Sequence, residues 1–169
     1  MNGVLLFPPL LPNTGGVPEV EPLAHAVYQA DFPAGGTLPA VKGEVVQVRR
    51  EPHPANPTRE YTYWHMVTED DPKFPRDESK RLPDLVRVCA IPRAKTLLDN
   101  HTHATVKRWW NVRAGLKHLC IWHPPVNYVL VIKERYEGNF LVTSYCPEPT
   151  RRLDFHKEWA TAKKAGRTF

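Results

Sequence analysis

The sequence predicts an α+β fold in which an antiparallel β-meander is flanked by helices. Two stretches carry that expectation. "KHLCIWH", "VNYVLVIKERY" and "NFLVTSY" are apolar runs separated by "PP" and by "YEGN", whose Gly138 and Asn139 tolerate the positive φ of a tight hairpin. After them, Leu153, Phe155, Trp159 and Ala162 are spaced for packing, with Arg151, Arg152, Lys157, Lys163 and Lys164 left for solvent or phosphate. That pattern predicts a basic, amphipathic C-terminal helix capped by Thr150. The continuous run "YVLVI" fits a central strand covered on both faces, one of them by a helix.

Upstream, "REYTYWHMVTED" is rich in aromatic and branched residues and predicts a strand with Tyr61, Tyr63, His65 and Val67 on one face. "LVRVCAI" predicts a second strand, ended by Pro92. "NHTHATVKRWWNVRAGL" has a polar entry, apolar Val106, Trp109 and Trp110, and a closing Gly115, which predicts a helix over 103–114. Before Thr58, where ten of the 18 prolines and six of the nine glycines lie, "LAHAVYQADF" predicts a short helix and "GEVVQVRRE" a strand. The expected division is a Pro/Gly-rich N-terminal arm over 1–57, wrapping or packed on the domain, and the α+β domain over 58–169.

The 169 residues, 41% hydrophobic, suit one domain able to bury its own core. Three cysteines without paired spacing imply a reducing compartment. Pro8 and Pro9 interrupt the first apolar run, and no later run is long enough to span a bilayer, so the expectation is a cytoplasmic protein with no membrane partner. The net charge of +5 is uneven: residues 1–57 hold three Lys or Arg against five Asp or Glu, the remainder 20 against 13. A basic domain attracts polyanions by phosphate contact and counterion release, which makes nucleic acid the natural partner class.

No glycine-rich phosphate loop, paired-carboxylate motif or nucleophile elbow is present. His101, His103, His118, Cys120 and His123 offer donors to zinc but lack its paired spacing, so neither metal nor cofactor is expected. What remains is His65, the arginines Arg81, Arg87 and Arg93, and the hydroxyls that end the last strand. Alternation puts Leu141, Thr143 and Tyr145 on one face and Phe140, Val142 and Ser144 on the other. An imidazole, two hydroxyls and a guanidinium sharing a hollow would supply the base, phosphate cation and donor that RNA cleavage by its own 2′-hydroxyl needs. Beside this stands a plainer reading: His65, between Trp64 and Met66, packs as a half-buried strand residue, and the arginines form a solvated rim.

In order, "YWHMV", "RLPDLVRVCAIP", "VKRWWN", "YVLVIKER" and "FLVTSYCPEPTRRL" resemble a group of phage-associated bacterial proteins similar to the superfamily of barnase, EndoU, the tRNase colicins and RelE, abbreviated BECR. The likeness covers about Tyr61 to Trp159. It implies a metal-independent endoribonuclease, a toxin or phage-defence effector acting on tRNA or mRNA and leaving 2′,3′-cyclic phosphate and 5′-hydroxyl ends. His65, Arg87, Thr143 and Tyr145 would be catalytic. Arg81, Arg93, Lys107, Arg135, Arg151, Arg152 and Lys157 would hold RNA, and an antitoxin or immunity protein would be a partner. Two departures bear on this: Ser144 replaces an alanine of the pattern, and Ala90 to Arg93 replace its Arg-Ile-x-Trp, removing one cation and turning an aromatic into another. The alternative is a non-catalytic phage or mobile-element protein that grips RNA or a protein through its basic face. A third class has no nucleic-acid role and offers the Pro-rich arm as a peptide ligand.

Overall fold

The computed structural model describes residues 3–169. The first half contains α1 (Val17–Asp31), β1 (Ala40–Val41), β2 (Glu44–Gln47), β3 (Pro52–His53), β4 (Asn56–Glu60), α2 (Tyr61–Val67) and β5 (Thr68–Glu69). A 3₁₀ turn (Glu78–Lys80) precedes β6 (Leu82–Pro83), α3 (Leu85–Ala90) and α4 (Pro92–Asp99). Then come β7 (Lys107–Arg113), β8 (Leu116–His123), β9 (Tyr128–Arg135), β10 (Gly138–Tyr145) and α5 (Pro149–Lys164).

The fold is α+β, as expected, around a six-stranded sheet of order β1-β2-β10-β9-β8-β7. The all-antiparallel meander is corrected: β7 to β10 alternate in direction, but β2 joins β10 in parallel through Asn139↔Val46 and Phe140↔Gln47, so the sheet is mixed. The sheet curls far enough that Lys42, in the β1–β2 turn, brings its Nζ to 5.8 Å from the Trp110 ring of β7, at the far end of the strand order. Leu130 and Ile132 of β9 point into the main core and Val129 into a second cluster under α5, so the central strand is covered on both faces. That second cluster joins Trp109, Cys120 and Trp122 to Phe155 and Ala162 of α5. The helix starts at Pro149 after Glu148, which gives no side-chain cap, and not at a Thr150 cap.

Three elements differ from expectation. Tyr61–Val67 is a seven-residue helix and not a strand; Thr62, Tyr63, Trp64, Met66 and Val67 are all buried, so packing on nearly every side overrides β-propensity. "LVRVCAI" also belongs to a helix, α3, whose first turn is held by the Asp84 carboxylate accepting from the Arg87 amide at 2.7 Å. Pro92 opens α4 at its first turn instead of ending a strand. Conversely, the helix expected over 103–114 is the strand β7, with Trp109 and Trp110 on opposite faces.

The described part of the segment expected as an arm, residues 3–57, shares one hydrophobic core with 58–169. Val20, Ala24, Tyr28 and Phe32 of α1 and its C-terminal cap are buried in it, Leu5, Phe7 and Leu11 pack against it, and the Leu11 amide donates to the Cys89 carbonyl at 2.9 Å. Beyond Phe140 the edge of β10 is met by α2 instead of a strand: Thr62 Oγ1 donates to the Leu141 carbonyl at 3.2 Å, and Thr143 Oγ1 to the His65 carbonyl at 3.0 Å. No helix among the described residues is long and apolar enough to cross a membrane.

Candidate functional site

Tyr61 and His65 are the two residues of α2 that are not fully buried, and their spacing of one helical turn lays one ring on the other, centroids 4.9 Å apart and 20° from parallel. The Arg49 guanidinium lies 3.6 Å from the Tyr61 centroid, so a cation and an imidazole are both registered on one aromatic ring. The 3₁₀ turn brings Glu78 against the other side of the imidazole, with His65 Nε2 2.6 Å from Glu78 Oε2. His53 of β3, wholly buried, places its Nε2 3.4 Å from the same oxygen.

The tautomers follow from this geometry. The Ala55 amide donates to His53 Nδ1 at 3.0 Å, so that nitrogen carries a lone pair and the ring hydrogen sits on Nε2, facing Glu78. His53, His65 and Glu78 are the one group of three metal-capable side chains that comes together among the described residues. With Nδ1 committed to the Ala55 amide, His53 has no lone pair to offer a metal at Nε2, and the trio reads as a carboxylate accepting from His65, with the His53 Nε2–H 3.4 Å away and outside hydrogen-bond geometry. His65, donating through Nε2, keeps Nδ1 as its basic atom, for which the described residues provide no hydrogen-bond partner.

Burial, and then the nearby Arg81 guanidinium, push the His65 pKa down to about 4, against the opposing pull of Glu78. Burial likewise lowers His53. For Glu78, burial acts upward but is outweighed by His65 and Arg81, so its carboxyl lies below the usual range. At neutral pH the site therefore holds a neutral imidazole oriented by an ionised carboxylate, the state a general base requires.

This imidazole opens on a recess of about 130 Å³, lined by Arg49, Tyr61, His65, Glu78, Lys133 and Arg135 with Phe140, Leu141 and Val142 of β10 completing it. Its size suits a phosphate and part of a ribose, well short of a pocket that encloses a whole drug-sized ligand. Three cations face one carboxylate inside it, so it favours an anion.

The residues expected to surround His65 are only partly assembled there. Arg135 joins it in the recess, and Arg81 stands next to it, anchored by Nε to Thr68 Oγ1 (2.9 Å), Nη2 to the Thr68 carbonyl (3.0 Å) and an ion pair with Asp70. Arg87 donates to that same Thr68 carbonyl at 2.8 Å, but its guanidinium lies 4.9 Å from the Tyr145 ring and lines, with Tyr145 and Arg151, a different recess that also holds Glu69, Asp84 and Glu148. Arg151 is paired with Glu158 at 2.7 Å.

The face expected to carry Leu141, Thr143 and Tyr145 together is corrected at Leu141. A bulge at Val142 shifts the register, Leu141 pairing with Ile132 and Thr143 with Val131. Leu141 and Ser144 consequently share the buried face, Ser144 accepting from the Tyr128 hydroxyl at 2.7 Å, while Thr143 and Tyr145, opposite Val131 and Val129, stay together on the other, the Thr143 hydroxyl spent on the His65 carbonyl at 3.0 Å and Tyr145 packed on the cluster under α5. The remaining candidates are dispersed. Arg93 donates to the Val126 carbonyl at 3.5 Å; Lys107 lies over Trp159 (4.3 Å) and Trp122 (5.4 Å); Arg152 lines a third recess with His156; Lys157 is exposed on α5.

Sequence reasoning missed Arg49, His53, Tyr61, Glu78 and Lys133. The signal for Tyr61 was its spacing from His65, legible once the segment is read as a helix. No family model, curated protein or solved structure matches the chain.

Proposed function

We propose that the recess binds a phosphodiester of RNA and that the protein is a metal-independent endoribonuclease of toxin or phage-defence type, cutting tRNA or mRNA in the cytoplasm. His65 Nδ1 takes the proton of the ribose 2′-hydroxyl, the 2′-oxygen bonds to phosphorus, and the P–O5′ bond breaks. The products are a 2′,3′-cyclic phosphate and a 5′-hydroxyl, the leaving oxygen taking its proton from solvent. Arg49, Lys133 and Arg135 offset the charge gathering on the phosphoryl oxygens, and Glu78 keeps the imidazole in the tautomer that exposes Nδ1. The observation that carries this reading is the neutral, carboxylate-oriented imidazole opening on a cation-lined recess. An antitoxin or immunity protein would act by laying acidic side chains over the same opening.

The experiment is incubation of labelled tRNA and mRNA with wild-type and His65→Ala protein in EDTA. Wild type yields 5′-hydroxyl ends, and the variant, folded by circular dichroism, is slower by about 10²-fold or more. Equal rates would refute the assignment.

The second reading, a protein that binds RNA without cutting it, is favoured by two facts: the Thr143 hydroxyl is spent on a main-chain carbonyl, and Tyr145 lines another recess. A shifted but intact RNA band in the same assay decides for it.

A further inference from the structure

On the far side of β9 from the recess, cations gather without matching carboxylates. Alternation turns Lys133 and Arg135 to one face and Glu134 to the other, where it pairs with Lys42 (3.7 Å) and Lys117 (3.0 Å). Those two amines also stand 5.8 and 5.3 Å from the Trp110 ring, and the Arg167 guanidinium stands 5.7 Å from it. Next to Trp110, the Phe169 ring has Lys42 at 5.9 Å and Arg108 at 5.5 Å. The array is fixed by backbone pairing: the Trp110 amide donates to the Arg167 carbonyl at 3.1 Å and Trp109 bridges Thr168, so 167–169 runs along the outer edge of β7.

Four cations thus surround two aromatic rings with Glu134 as their one carboxylate partner, and Arg108 and Arg167 form no ion pair among the described residues. Aromatic quadrupoles hold the cations in place but do not cancel their mutual repulsion. Phosphates would do so. We infer that this Trp110–Phe169 surface is a second, sequence-independent contact for the backbone of single-stranded RNA, continuing the strand whose phosphodiester sits in the recess. The inference rests on RNA as the ligand of that recess. It requires a single strand because the two surfaces lie on opposite faces of β9, and a backbone reaching both must fold over the end of the sheet within a few nucleotides. A stiff duplex does not make that turn.

The test uses the full chain carrying His65→Ala, so that RNA binds without turnover, and a fluorescein-labelled 20-nucleotide oligouridine. Every phosphate of a single strand that the protein ceases to neutralise removes about 0.7 from the slope of log K against log salt. Arg108→Gln with Arg167→Gln should lower that slope by about 1.4 and weaken binding roughly 25-fold at 0.1 M salt. The exposed Lys42→Gln, which leaves the β7 edge alone, should lower the slope by about half as much. In the otherwise wild-type protein, cleavage of a dinucleotide, too short to reach this surface, should be unchanged by these substitutions.

An unaltered slope in both variants would overturn the inference, as would equal weakening for a 20-base-pair duplex. The two readings fail separately. If the slope falls while wild type cuts nothing, the surface stands and the nuclease does not; if wild type cuts RNA and the slope is unaltered, the nuclease stands and the surface does not.

Discussion

The surroundings of His65 keep its imidazole neutral well below the ordinary pKa, and that shift has a thermodynamic signature independent of any substrate. The perturbation is a shift from pH 7 to pH 5, compared between wild type and His65→Asn. In the folded protein the imidazole, with its side chain 12% exposed, titrates at about 4, against 6.5 in the unfolded chain. The folded state thus binds fewer protons across that window, and its stability falls as pH drops below 6.5, the loss levelling off only near 4. At pH 5 the unfolded chain has gained most of a proton that the folded one has not. Over roughly 1.5 pH units at about 1.36 kcal/mol per unit, the difference is about 2 kcal/mol. His53, His118 and His123, also lowered chiefly by burial, act in the same direction in both proteins, so the comparison with His65→Asn isolates His65. Urea unfolding at the two pH values measures it: wild type should lose about 2 kcal/mol more than the variant. Parallel losses would refute the depressed pKa of His65.

Two further expectations use the same geometry. Arg81 depresses the His65 pKa, so Arg81→Gln should move the acid limb of kcat/KM upward toward 6.5, which rate profiles between pH 4 and 8 would show; an unmoved limb would contradict the charge coupling. Thr143→Val removes the bond to the His65 carbonyl and should cost about 1 kcal/mol in urea while leaving cleavage per folded molecule intact. A 10²-fold loss of rate would instead return Thr143 to the substrate.

What the sequence made legible was the part written in period. The three apolar runs became β8, β9 and β10, and the 3.6-residue spacing of Phe155, Trp159 and Ala162 became α5. The misread segments are those where the local signal and the tertiary environment disagree. "YTYWHMV" has strand composition but is enclosed on nearly all sides, and the consequence for the site is large: in a strand Tyr61 and His65 would be about 13 Å apart, whereas one helical turn brings their rings into contact. β7 read as a helix because Gly115 looked like its stop; the chain instead turns back at Ala114 and Gly115, both at positive φ (49° and 75°), and alanine gives no warning of such a turn. Arg81 and His65 were singled out by residue chemistry and Arg135 by the family resemblance, but Glu78 and His53 arrive from a 3₁₀ turn and a two-residue strand that no periodicity marks. The bulge at Val142 has no sequence signature either, and it puts Leu141 on the face opposite Thr143 and Tyr145.

The short helix α2 stands where the sheet would otherwise end in an open strand. Its threonine and that of β10 occupy main-chain acceptors along this border, so another polypeptide cannot zip onto it by β-augmentation while the helix stays seated. Because the imidazole rides on the same helix, protection against edge-to-edge aggregation and the integrity of the basic recess are one property, and a change that unseats the helix forfeits both.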